Sequence, residues 1–174
     1  MYAARDVTNT VGSLGLIVSS IISKKAAEGI NTLVLDVKWG SGCYQETLQQ
    51  AENLAEALVQ TSASVGVRSV AVISHMESPL GRCVGNSLEV KESLDSLRGA
   101  GARDLRELVV LEGAMVLLSA SMVTDLEAGK AKIAEVLDSG AALTKFKEMI
   151  VKQVMSIGLM SSSFIPVPPP GSQG

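Results

Sequence analysis

Of the 174 residues, only 2 are cysteine and 1 is histidine, and aromatics make up 3%. Cys43 and Cys83 form no CxxC pair and no Cys/His cluster with metal-ligand spacing, which excludes a disulfide scaffold and a zinc module and suits a reducing cytosol. So few aromatics leave no row of stacking platforms for single-stranded bases. No basic block exists either: 15 Lys plus Arg face 18 Asp plus Glu, scattered along the chain. Nucleic acid and anionic membranes are therefore excluded as expected partners. The most apolar stretch, Leu108 to Val123, is interrupted by Glu112 and falls short of the roughly 20 residues that cross a bilayer, so it reads as a buried helix. Tyr2, Ala3, Ala4, Arg5 and Asp6 lack the charged start and apolar core of a secretory signal, and no export is implied.

What the chain does have is 47% hydrophobic residues, ample for a globular core carried by Leu, Val, Ile and Ala. Apolar residues at helical spacing predict one long helix over Asp6 to Glu28, stopped by Gly29. Thr32 to Val37 reads as a fully buried strand leading into the Gly40-Ser41-Gly42 turn. A helix over Gln45 to Thr61 and a second strand over Ser69 to Ser74 complete a strand, helix, strand unit, whose strands should be parallel and whose ligands should collect at their carboxyl ends. Further helices are predicted over Val84 to Leu97, Asp104 to Val123, Asp125 to Leu137 and Ala141 to Val154. The fold class is α/β and helix-rich: residues 1–29 as part of a helical domain, residues 30–154 as part of a mostly parallel α/β domain. Residues 155–174, rich in Ser, Pro and Gly without periodicity, are expected to be a disordered tail.

Several groupings bear on chemistry. Ile17, Ser20 and Lys24 lie within about 60° of one another on an ideal helix, so a hydroxyl and an ammonium stand one turn apart; Arg5 ahead of them adds a planar fork of donors. Together they can hold one planar polar ligand; spacing equally allows a solvated helix face beside Lys25 and Glu28, or a Ser-Lys hydrolase dyad. Gly40-Ser41-Gly42 can cradle a phosphate or simply turn the chain. His75, with no acidic or nucleophilic partner nearby in sequence, reads as structural. Leu80, Cys83 and Glu92 can offer two carbonyls and a carboxylate to a hard cation such as potassium, or belong to a capped helix.

Four ordered segments then come together: Tyr2-Ala-Ala-Arg-Asp-Val-Thr8, Ser20-Ile-Ile-Ser-Lys-Lys-Ala-Ala-Glu-Gly29, Leu35-Asp-Val-Lys-Trp-Gly-Ser-Gly42 and Pro79-Leu-Gly-Arg-Cys-Val-Gly-Asn-Ser-Leu-Glu-Val90. From Tyr2 to about Ile150 the chain closely resembles the thymidine and pyrimidine nucleoside phosphorylases, above all the animal-type enzymes. The resemblance implies that Tyr2, Arg5, Ser20 and Lys24 hold the pyrimidine base and that Val11, Ile17 and Tyr44 form apolar walls. It places the potassium site of bacterial relatives at Leu80, Cys83 and Glu92. It further implies cytoplasmic phosphorolysis of a pyrimidine nucleoside by phosphate, with no cofactor required, in a homodimer.

Two departures stand out. Family members usually read SLPLIT where this chain has Ser13-Leu-Gly-Leu-Ile-Val18, so Gly15 and Val18 loosen and unpolarise the helix near the pocket. The family's phosphate-binding Lys-His-Ser loop and its C-terminal domain lie outside the segment represented here. The expectation is a central fragment holding the nucleobase, with little phosphorolytic activity alone. The competing expectation is a noncatalytic truncated or spliced product that pairs through dimer-type helices, and a third is a phosphoribosyltransferase-like protein of the same fold.

Overall fold

A computed structural model describes residues 2–156. The predicted first helix is two: α1 over Tyr2–Val7 and α2 over Leu14–Ala27. The long-helix expectation fails between them because small polar side chains compete for the backbone. Thr8 Oγ1 donates to the Ala4 carbonyl at 2.9 Å and pairs with Thr10 Oγ1 at 2.8 Å, while Asn9 adopts a φ of 51°. Gly29 does end the second helix, with a φ of 69°.

Strand β1 (Thr32–Trp39) leads through the Gly40–Gln45 turn to helix α3 (Leu48–Ser64), which begins at a capping box between Thr47 and Gln50. Strand β2 (Arg68–His75) returns parallel to β1, with Thr32 opposite Arg68 and Trp39 opposite His75. Then come α4 (Asn86–Leu97), α5 (Arg103–Ser119), α6 (Leu126–Asp138) and α7 (Ala141–Ser156). The expected tail beyond that helix lies outside the described residues.

Because side chains alternate along a strand, β1 and β2 present two different faces. Leu33, Leu35, Val37 and Trp39 pack toward α2 and α3, around a core of Val18, Ile22, Leu54, Ala55 and Leu58. Helix α5 packs against both strands and against α6, and α6 in turn meets α7. Two expectations of burial are corrected. β1 buries only Val37 fully and β2 none of its residues, since the described residues hold a two-stranded sheet with both strands at an edge. Helix α5 ends at Ser119 and buries only Ala114 fully, leaving Val109 and Val116 exposed. No helix among the described residues is long and apolar enough to cross a membrane.

Candidate functional site

The break between α1 and α2 shapes the site. Arg5, at the end of α1 and only 7% exposed, donates from Nη2 to the Val11 carbonyl at 2.5 Å, folding the chain back so that Arg5 and Val11 both face α2. From α2, Ile17, Ser20 and Lys24 come from one face, as their spacing predicts, with Ser20 at 2% exposure and Lys24 at the exposed end. From the end of β1, the Gly40–Gln45 turn brings Cys43 and Tyr44 opposite. Arg5, Val11, Ile17, Ser20, Lys24 and Tyr44 line one cavity of about 400 Å³, floored by Leu54 and Leu58 of α3. A guanidinium, a hydroxyl and an ammonium thus meet an apolar wall, an arrangement suited to a flat ring with polar edges. Tyr2 stands at the first position of α1; its side chain lies outside the described residues.

The turn that carries Tyr44 is glycine-rich for a physical reason. A Cβ at Gly40 or Gly42 would stand 2.8 or 2.9 Å from the Met76 carbonyl oxygen, and Gly42 N–H donates to that oxygen at 3.0 Å. The turn therefore lies flat against the end of β2. Ser41 meets Glu77, its hydroxyl donating at 2.5 Å.

His75 requires a correction: an acidic partner does stand nearby in sequence, two residues on. Its Nε2 lies 3.4 Å from Glu77 Oε1, and its ring lies 4.6 Å, centroid to centroid, from that of Trp39. Leu80, Cys83 and Glu92 share the turn before α4. The Glu92 carboxylate accepts the Arg82 and Cys83 N–H groups at 2.8 and 3.0 Å, and a Cβ at Gly81, whose φ is 77°, would meet Glu92 Oε2 at 2.7 Å. Glu92 thus clamps this turn, and each oxygen keeps a lone pair, so the donor chemistry still fits a hard cation. Among the described residues no group of three or more His, Cys, Asp or Glu could hold a metal ion.

One polar group on the α5 side of the sheet escaped the sequence reading. Lys38 Nζ lies 2.6 Å from Asp36 Oδ2 and 3.0 Å from Ser74 Oγ, which itself donates to Asp36 Oδ1. The signal was available: two charges at alternate positions of an apolar strand share a face. Glu112 of α5 adjoins them, and burial, then the Asp36 charge, pushes its carboxyl above the ordinary 4.5. A raised carboxyl holds its proton more tightly folded than unfolded, so its contribution to stability is fullest below pH 4.5 and is lost as pH rises through the folded value. The thermal midpoint of Glu112→Gln should therefore fall less than the parent's as pH rises above 4.5, measured by circular dichroism. Parallel profiles would contradict it.

Comparison with known proteins now defines the class. Residues 1–143 match the glycosyl transferase family, a/b domain, and the chain belongs to that family. Within it, the chain is similar to the pyrimidine-nucleoside phosphorylase of Staphylococcus aureus strain bovine RF122 / ET3-1, 50% identical over 153 residues that make up 88% of this chain and 35% of the relative. The proteins of the same name from strains USA300 and COL are 49% identical over the same coverage. The chain spans about a third of the length of these curated relatives, and they bear out the resemblance to the thymidine and pyrimidine nucleoside phosphorylase family.

Proposed function

We propose that this chain forms the nucleobase-holding part of a pyrimidine nucleoside phosphorylase. In the reaction, a phosphate oxygen bonds to the anomeric carbon of thymidine, the bond from that carbon to the base nitrogen breaks, and its electron pair leaves with the base. The phosphate's proton ends on the released base nitrogen, so the products are thymine and 2-deoxyribose 1-phosphate. Arg5 and Lys24 act as the catalytic residues by stabilising negative charge that develops on the carbonyl oxygens of the departing base, and Ser20 holds a ring nitrogen. Tyr2 joins them at the base, with Val11, Ile17 and Tyr44 as apolar walls. No cofactor takes part in the reaction; Glu92 with the carbonyls of Leu80 and Cys83 would hold a structural potassium ion.

The observation that carries the proposal is that residues from three separate stretches, around Arg5, along α2 and at Tyr44, line a single cavity. A solvated-face reading of α2 does not account for Ser20 at 2% exposure beside a buried arginine. The test compares the purified chain with a chimera that places it between the flanking segments of a full-length relative. Thymidine phosphorolysis should be restored in the chimera and absent from the chain alone. A well-folded chimera without turnover would count against the proposal.

The second reading, a noncatalytic product that pairs through its helices as in a homodimer, draws on α2. Leu14 and Leu16 are exposed there, and an apolar groove lined by Leu14, Val18 and Ile22 runs between α2 and α3. Sedimentation of the purified chain distinguishes a pairing fragment from a monomer.

A further inference from the structure

One wall of the cavity is supplied by Cys43, Tyr44 and Gln45 of the turn after β1, and Cys43 Sγ donates back to the Lys38 carbonyl of that strand at 3.3 Å. Tyr44 is 66% exposed, so packing alone does not fix it. Within the segment, Gly40 N–H donates to the Gln45 carbonyl at 2.8 Å and Cys43 N–H to the Gly40 carbonyl at 3.2 Å, which keeps the turn's own shape. Two ties reach it from the end of β2. One is the backbone bond from Gly42 to Met76. The other is Glu77, which takes Ser41 by two donors: the hydroxyl on Oε2 at 2.5 Å and the backbone N–H on Oε1 at 3.4 Å.

The Glu77 end of this tie is itself braced. His75 Nε2 stands 3.4 Å from Glu77 Oε1, and the His75 ring leans on Trp39, the last residue of β1. The loop after β2 thus grips the loop after β1. Consistent with that grip, the Ser41 hydroxyl, then its N–H, hold the Glu77 carboxyl below its ordinary 4.5. Glu77 does not line the cavity, so its effect on a ligand must pass through the segment that carries Tyr44.

We propose that Glu77 is a positioning residue: by gripping Ser41 it fixes the Gly40–Gln45 segment, and so holds Tyr44 as the wall on which the ligand's flat ring packs. This rests on reading the cavity as a pyrimidine site. Without the grip, Tyr44 must be immobilised at the moment of binding, and the affinity falls by that ordering cost. Glu77→Gln keeps an acceptor oxygen for Ser41 and restores most of the hold, whereas Glu77→Ala removes it.

The test uses the 174-residue chain with thymine as the probe, titrated into the parent, Glu77→Ala, Glu77→Gln and Lys24→Met proteins and followed by amide NMR. Hydrogen exchange of the Ser41–Gln45 amides is measured on the same samples. Glu77→Ala should bind thymine about three- to tenfold more weakly, the scale of one side chain that must be ordered on binding. Its Ser41–Gln45 amides should exchange faster, Glu77→Gln should recover most of both effects, and Lys24→Met should bind about 10- to 100-fold more weakly. If the parent binds and Lys24→Met binds at least about tenfold more weakly, but Glu77→Ala matches the parent in affinity or in exchange, the positioning role is overturned while the pyrimidine reading stands. If the parent shows no saturable shift with thymine, both fall together.

Discussion

In a chimera that completes the enzyme around this segment, Lys24→Met should lower turnover of thymidine by about 10- to 100-fold while leaving the fold intact. The size follows from what the ammonium does. On the proposed reading it makes a charge-assisted hydrogen bond to the departing base, worth roughly 1.5 to 3 kcal/mol, and each 1.4 kcal/mol of barrier is about tenfold in rate. Methionine keeps most of the volume and the helix preference, so the change removes little else. Lys24 lies in the last turn of α2, where a cation also complements the helix dipole, but Lys25 stands beside it and its ion pair with Glu28 remains. Ser20→Ala should weaken nucleoside binding in the same chimera, and the double variant should be non-additive because both groups grip one ring. Unchanged kinetics in both single variants, with native circular dichroism, would return α2 to a solvated-face reading.

Leu58→Ala should destabilise the chain by about 2 to 5 kcal/mol, the range for emptying a leucine site in a packed core. Leu58 is 2% exposed at the centre of α3, where α2 and β1 converge, and it also floors the cavity. With total stabilities of small domains at roughly 5 to 15 kcal/mol, this one truncation removes a large share. Urea unfolding followed by far-ultraviolet circular dichroism measures it, and Leu48→Ala, at an exposed position of the same helix, is the control and should shift stability by no more than about 0.5 kcal/mol. Equal effects at the two positions would show that the core is centred elsewhere.

Much of this architecture was legible because the relevant signals are local. Apolar spacing located α3 and α5 to α7 within a few residues, and the β-branched run at Thr32 marked β1. Ile17, Ser20 and Lys24 share a face because helical periodicity requires it, and no tertiary information was needed to say so. The break at Thr8 to Ser13 was harder to see. Val7, Val11 and Leu14 keep helical spacing, and hydroxyl bonds to nearby carbonyls win there over propagation of the helix. Tertiary pairings were less visible still. Glu112 meets Asp36 only because α5 lies on the sheet, and Glu77 reaches Ser41 only because parallel pairing brings Trp39 and His75 level. Burial was overestimated for β1 and α5 for a related reason: an apolar run records what a segment can bury, and the described residues cover only part of it.

The pairing of Trp39 with His75 has a practical side. Trp39 is the only indole in the chain, and it closes the strand from which the Tyr44 turn departs. Imidazole in contact with an indole is a proximity quencher, so the emission of this protein reports the separation of two rings at one end of the sheet. Any change that moves these two rings apart alters that emission without an added dye.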